Sequence, residues 1–169
     1  NLDTADFGTK HQSLGGVDPF ANALEITCTT ADGSIGASEL VWLKKTVEAQ
    51  FLQHLSYGSS SAKTTTLSFR VKSNLTGTFA VALMTNDSPS RIISGNYTID
   101  SANTWEDKSI TFIGDTDSNT VIANDNGEGV RFAFVLSAGS NYTSTDNDTW
   151  ANYADARLAH GHNVNIASS

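Results

Sequence analysis

The sequence predicts an all-β protein built as an antiparallel sandwich or barrel. Apolar residues occupy every second position in most of its apolar runs, which is the period of a strand with one buried and one exposed face. Turn-forming clusters separate these runs at intervals of about 8 to 12 residues, as in sandwiches and barrels. Charged residues make up only 17% of the chain. Its polarity comes instead from Ser, Thr and Asn, which suit strand surfaces and turns.

Alternation predicts seven strands in chain order. They span residues 24–29, 40–47, 67–71, 79–83, 93–99, 110–112 and 130–136. The stretch TLSFRVKSNLTGTFAVAL, residues 66–83, predicts a β-hairpin with one dry and one wet face, because two alternating runs flank five turn-forming or polar residues. The last run, residues 130–136, is the most apolar and places its large side chains on one face.

Helix content is predicted to be small. The helical signal is EAQFLQHL, residues 48–55, in which Phe51, Leu52 and Leu55 share a face at helical spacing. We therefore expect one short helical crossover over an end of the sandwich. At 169 residues the chain is long enough for one domain with its own core.

Composition argues against several kinds of partner and linkage. A formal charge of −8 disfavours nucleic acid, which binds clustered Lys and Arg, and anionic membranes. No apolar run approaches the ~20 residues of a membrane helix, so we expect no membrane insertion. The single cysteine, Cys28, excludes an intrachain disulfide. It ends an alternation with Leu24 and Ile26, which predicts a buried thiol.

Two short motifs suggest metal binding only weakly. Asp115, Asp117 and Asn119 have the one-three-five oxygen spacing of a calcium loop, but the Gly and bidentate Glu of that loop are missing. The alternative is an ordinary turn whose side chains bond nearby backbone N–H groups. His160 and His162 would face the same way on a strand, yet two imidazoles do not complete a site. We predict neither a metal nor another cofactor.

The sequence contains no recognisable catalytic motif. The five glutamates form no tight acidic pattern on one strand, and the chain has no G-x-S-x-G elbow or phosphate-binding glycine loop. We therefore predict a protein that is not an enzyme, with no catalytic residues.

The polar segment 138–155 is the candidate binding loop. It carries Tyr142, Trp150 and Tyr153 among amides and hydroxyls. Sugar recognition uses aromatic faces beside hydrogen-bonding groups, because the apolar C–H faces of a sugar stack on rings. These three residues are the predicted ligand-binding residues. The alternative is that Trp150 closes the core beneath the loop.

Four stretches together resemble a known kind of domain. They are TLSFRVKSNLTGTFAVAL, YTIDSANTWEDKSITFIGDT, LSAGSNYTS and EAQFLQHLSYG. They are similar to a jelly-roll domain common in virion structural and tail-fibre-like proteins of marine bacteriophages and cyanophages. The resemblance runs over residues 22–150. It implies a jelly-roll sandwich like that of carbohydrate-binding modules, with a non-enzymatic role in a tail fibre, spike or capsid-attached appendage of the extracellular particle.

The resemblance also implies partners and a domain plan. Expected partners are other virion proteins, host-surface polysaccharide and further copies of the chain, with a trimer as one possibility. Residues 1–169 form a single jelly-roll domain with a core at 22–150, an N-terminal extension at 1–21 and a C-terminal segment at 151–169. Family members continue into an apolar strand after the region of His160. We expect 151–169 to pair with a neighbouring chain if that strand is missing here.

Two other functions fit the same pattern. One is a carbohydrate-binding module of a secreted bacterial polysaccharide-degrading enzyme, which a linker rich in Pro, Gly or Ser would favour. The other is a jelly-roll lyase or hydrolase, which would need paired carboxylates or His with Tyr in a groove.

Overall fold

A computed structural model of the protein describes residues 6–13, 20–87, 89–145 and 148–168. Nine strands form in this part of the chain: β1 Asp6–Ser13, β2 Asn22–Thr30, β3 Leu40–Glu48, β4 Thr65–Val71, β5 Gly77–Thr85, β6 Arg91–Ile99, β7 Glu106–Phe112, β8 Glu128–Ala138 and β9 Ala151–Asn152. Short 3₁₀ helices lie at Ala49–Leu55, Ser140–Tyr142, Asp155–Arg157 and Ile166–Ser168. The predicted all-β class is confirmed. Within the described residues, none of the helices is both long and apolar enough to span a membrane.

The strands form one large sheet and two strand pairs, all antiparallel. The large sheet has the order β3-β8-β5-β6-β9, while β4 pairs with β7 and β1 with β2. The pairing is nested, because β5 pairs with β6, β4 with β7 and β3 with β8. The chain from β3 to β8 is therefore a long hairpin folded over on itself, with successive pairs lying in different sheets.

The predicted hairpin over residues 66–83 is wrong. β4 pairs with β7, in register from Thr65 opposite Phe112 to Val71 opposite Glu106, while β5 pairs with β6 and β8. The polar residues between the two strands carry the chain from one sheet to the other. Alternation describes each strand correctly but does not identify its partner, because facing walls of a sandwich have the same pattern as neighbours in one sheet.

The main core lies between the large sheet and the β4–β7 pair. The Phe69 ring of β4 meets Tyr97 of β6 and Phe134 of β8 edge-on, at centroid distances of 4.9 and 5.1 Å. Ile110 and Phe112 of β7 are buried in the same cluster. These contacts join the two layers, since each ring buries apolar area and meets its neighbour in a favoured geometry.

The outer face of the large sheet is also covered, which the sequence did not indicate. Residues 79–85 of β5 are buried at every position, so this strand has no wet face. Ala80, Ala82 and Ala133 lie on the outer face, where Leu158 and Ala159 of the C-terminal segment pack on them and are fully buried. Small side chains allow the returning chain to lie close to the sheet.

The C-terminal segment is bound within its own chain. Asn163 Oδ1 accepts from the backbone N–H of Thr78 at 2.8 Å, and Asn163 N–H donates to Thr78 O at 3.0 Å. Farther along, the carbonyl of Ala167 accepts from Asp32 N–H at 2.7 Å. β9 adds to the β6 edge of the large sheet. All of these contacts lie within one chain and do not test the pairing of 151–169 with a neighbouring chain, which stays a prediction.

The predicted helix is present as a 3₁₀ helix over Ala49–Leu55, but its buried face differs from the expected one. Ala49, Leu52 and Leu55 face the core, whereas Phe51 is 64% exposed. A 3₁₀ helix has three residues per turn, so positions three apart share a face and Phe51 falls outside it.

Cys28 does not have the buried position predicted for it. The thiol is free and half-buried on β2. Its Sγ donates weakly to the carbonyl of Ala167 at 3.4 Å, which joins the β1–β2 pair to the C-terminal segment. Alternation along β2 predicted a dry face, but Leu24 on the same parity is 51% exposed, and β1 and β2 pair in a sheet of their own.

Gly95 of β6 packs closely against β7, and a substitution at this glycine tests that packing. A Cβ there would lie 2.6 Å from Cγ2 of Ile110. We expect Gly95→Ala to lower the free energy of unfolding by about 1–3 kcal/mol through overpacking, measured by urea denaturation. Gly33→Ala is the control, because a Cβ at that position meets nothing within 4 Å. Equal stability of the two variants would contradict this close packing of β6 on β7.

Candidate functional site

The three aromatic residues predicted to bind ligand do not form one aromatic surface. Trp150 is half-buried and packs against the main core. Its indole Nε1–H donates to the carbonyl of Ile113 at 2.6 Å, and its ring meets Tyr57 edge-on at 5.5 Å. Trp150 therefore anchors the loop to the sandwich, which matches the alternative role considered for it.

Tyr142 also has a structural position. It ends the Ser140–Tyr142 3₁₀ helix. Its side chain packs against the apolar residues on the outer face of the large sheet, which we call the outer-face cluster: Ala80, Ala82, Met84, Ile92, Ala133, Val135, Leu158 and Ala159. Its hydroxyl donates to the carbonyl of Ser38 at 3.0 Å, and its own carbonyl accepts from Ala159 N–H at 2.9 Å. The residue thus links the start of β3 to the segment that covers the sheet.

Tyr153 is the aromatic residue of the predicted set that remains open to solvent, with 40% of its surface exposed. It follows β9, and its backbone N–H donates to the carbonyl of Ser90 at 2.9 Å. Its hydroxyl donates to Oδ1 of Asp155 at 2.7 Å. The residue is therefore held at both its backbone and the polar end of its ring, while 40% of its surface stays exposed.

One carboxylate contacts this exposed ring, and other ionisable groups act on it electrostatically. Partial burial raises the pKa of Tyr153, the hydrogen bond to Asp155 adds to the increase, and Tyr142 acts in the same direction while the Arg131 guanidinium acts against it. Arg131 lies on β8 and pairs with Glu128 at 2.8 Å. We define the Tyr153 site as Tyr153 and Asp155, which share a hydrogen bond, with Arg131 and Tyr142 acting on it electrostatically.

Arg131 was absent from the predicted site. The available signal was its charge, placed within the apolar run of β8 on the parity opposite to Val130 and Phe132. In the large sheet β5 and β6 lie between β8 and β9, so Arg131 acts on Tyr153 through its charge and not as a neighbour on the adjacent strand. The separation of residues 131 and 153 in the sequence gives no indication of that interaction.

The aspartates of the calcium-like motif bind an arginine instead of remaining open to a cation. Asp115 is 2% exposed, and its two carboxylate oxygens accept from Nε and Nη2 of Arg91 at 2.8 and 3.1 Å. Thr120 Oγ1 donates to the same carboxylate at 2.7 Å. Asp117 pairs with Arg91 Nη1 at 3.1 Å and accepts from Asn119 N–H at 3.0 Å. The one-three-five spacing therefore builds an ion pair and turns.

The two histidines of the HGH motif differ in setting. His162 is 9% exposed, its Nε2–H donates to the carbonyl of Val164 at 2.7 Å, and its ring meets Phe79 edge-on at 5.6 Å. Burial lowers the pKa of His162, which the hydrogen bonds to backbone carbonyls only partly offset. His160 lies on the other side of Gly161, whose φ of 76° turns the chain between them. The motif is a turn and not a strand that presents both rings together.

The described residues contain no cluster of three or more His, Cys, Asp or Glu side chains arranged to hold a metal ion. Comparison with known proteins adds no identity: the chain matches no protein-family model, no curated protein and no solved structure at a significant level. The resemblance to phage virion proteins therefore stays a prediction.

The buried ion pair predicts a large difference between two Asp→Asn changes. Asp115→Asn would leave the guanidinium of Arg91, a 6% exposed residue, without its main counter-charge. We expect the free energy of unfolding to fall by about 3 kcal/mol, as for a buried pair broken on one side. Asp107→Asn is the matched control, since Asp107 pairs with Arg70 but is 71% exposed. Little change is expected there; similar losses in both variants would contradict the difference in burial.

His162 predicts a loss of stability in mild acid. Its folded-state pKa lies below the unfolded value of about 6.5, so the unfolded chain takes up the proton first as pH falls. Stability should be full above pH 6.5 and decline below it. Urea unfolding of the wild type and His162→Gln between pH 7.5 and 5 measures this, and the variant should lose part of the slope. His54→Gln, at an exposed histidine, is the control; an unchanged slope in His162→Gln would exclude His162 as the cause.

Proposed function

We propose that this chain is a non-enzymatic virion structural protein of a bacteriophage, in a tail fibre, spike or capsid-attached appendage, and that it attaches to host-surface glycan through the Tyr153 site. The observation that carries the binding step is the exposed Tyr153 ring, held by backbone and side-chain hydrogen bonds beside charged groups. A fixed ring at the surface loses little side-chain entropy when a ligand stacks on it.

The polar groups of the site suit a sugar. Asp155 presents a carboxylate that accepts hydrogen bonds, and the guanidinium of Arg131, paired with Glu128, adds the field of a positive charge. A sugar ring offers hydroxyls of both kinds around apolar C–H faces. Stacking on Tyr153 with a hydroxyl directed to Asp155 would satisfy both parts of such a ligand.

The nested strand pairing supports the jelly-roll part of the proposal. A jelly roll results when a long antiparallel hairpin wraps so that successive strand pairs fall in alternate sheets. Here the pairs β3–β8 and β5–β6 lie in the large sheet, and β4–β7 lies opposite. Three pairs in place of four would make this chain a reduced jelly roll. Its location would be the extracellular particle, with other virion proteins and further copies of the chain as partners.

Binding of the purified protein to bacterial surface polysaccharides and to intact cells tests the proposal. Saturable binding is expected, with Tyr153→Ala weakening it about tenfold or more, as for an aromatic residue at the centre of a contact. Phe51→Ala is the matched control, because Phe51 is also an exposed ring but lies outside the Tyr153 site. Absence of binding to every polysaccharide and cell type, or equal losses in the two variants, would overturn the glycan-binding role.

The oligomeric state separates the virion role from a carbohydrate-binding module of a secreted polysaccharide-degrading enzyme. Both would bind glycan at the Tyr153 site. A stable homotrimer measured by light scattering is expected for a fibre component. A monomer that retains glycan binding would favour the enzyme module.

A further inference from the structure

The edge of the main core contains an apolar cavity, open to solvent on the side of His54, that no step of the proposed function uses. Its volume is about 160 Å³, and it lies between the Ala49–Leu55 3₁₀ helix and the inner face of the large sheet. Its walls include Leu52, Leu55, Tyr57, Leu83, Val130 and Phe132. A dry cavity of about 150 Å³ lined by Leu, Ile and Phe is large enough to bind benzene or xenon.

The wall of this cavity is almost entirely apolar, and two of its polar atoms bond each other. Tyr57 Oη and Thr65 Oγ1 bond each other at 3.0 Å, so one hydroxyl donates and the other accepts. Burial also raises the pKa of Tyr57, so the phenol is neutral and supplies no charge. His54 is the exposed residue among those that line the cavity, and it marks the side that faces solvent.

We infer that this cavity is a binding site for an uncharged six-membered hydrocarbon ring. Its volume matches a single ring, and a charged ligand would lose its hydration against an apolar wall. The Phe132 and Tyr57 side chains in the wall can meet such a ring edge-on or offset. Leucine and valine side chains supply the remaining contacts.

Benzene is the probe for this site. Raising its concentration to ten times its dissociation constant should raise the Tm of the wild type by about 3–5 °C, as for any ligand that binds only the folded chain. Benzoate and benzylamine, which carry a charge on the same ring, should give no shift at equal concentration. A benzene titration without a saturable shift, or an equal shift with the charged rings, would overturn the inference.

Two further measurements place the ligand. Val130→Phe would fill the cavity and should abolish the benzene shift, whereas Val121→Phe, the same change at a 48% exposed valine outside the cavity, should keep it. Methyl NMR of the wild type locates the ligand even if the Val130→Phe variant fails to fold. Benzene should move the methyl signals of Leu52, Leu55, Leu83 and Val130, while those of Leu158 and Val135, in the outer-face cluster, should stay. Shifts confined to the second group would contradict the assignment.

Discussion

The buried ion pair between Arg91 and Asp115 ties together the parts of the chain on which the proposed site depends. Arg91 begins β6 and donates from Nη1 to Asn152 of β9 at 3.0 Å, while its other nitrogens hold Asp115. Asp115 in turn bonds Thr120, and its carbonyl accepts from Gly58 N–H at 2.8 Å. One guanidinium thus joins the sheet edge, the strand before Tyr153 and two connections.

A buried pair of this kind selects one arrangement more than it adds stability. Taking both charges out of water is costly, and the attraction between them returns that cost only when their remaining hydrogen bonds are made. Here the guanidinium bonds three side chains and the carboxylate accepts four hydrogen bonds. Any register of β9 that moved Asn152 away would leave buried polar groups without partners. The Arg91–Asp115 pair therefore helps to fix the position of Tyr153, which directly follows Asn152.

The aromatic residues of the 138–155 segment divide between scaffold and surface for a physical reason. Trp150 and Tyr142 each have a polar atom that finds a backbone carbonyl and a ring that finds apolar neighbours, so burial satisfies both parts of the side chain. The hydroxyl of Tyr153 instead donates to the carboxylate of Asp155, its ring is only partly covered, and the residue remains accessible to solvent. Composition marks such a segment as aromatic but does not distinguish these environments.

Local pattern was sufficient for the all-β class and for most strands, because alternation and turn clusters are properties of neighbouring residues. It also located the Ala49–Leu55 helix, though not its buried face. What it could not supply is which segments meet. The β4–β7 and β5–β6 pairs formed in place of the 66–83 hairpin join residues distant in sequence. So do the covering of Ala80 and Ala82 by Leu158 and the hydrogen bond of Trp150 to Ile113. Contacts of that kind depend on the shape and polarity of both surfaces at once, so the tertiary structure alone decided them.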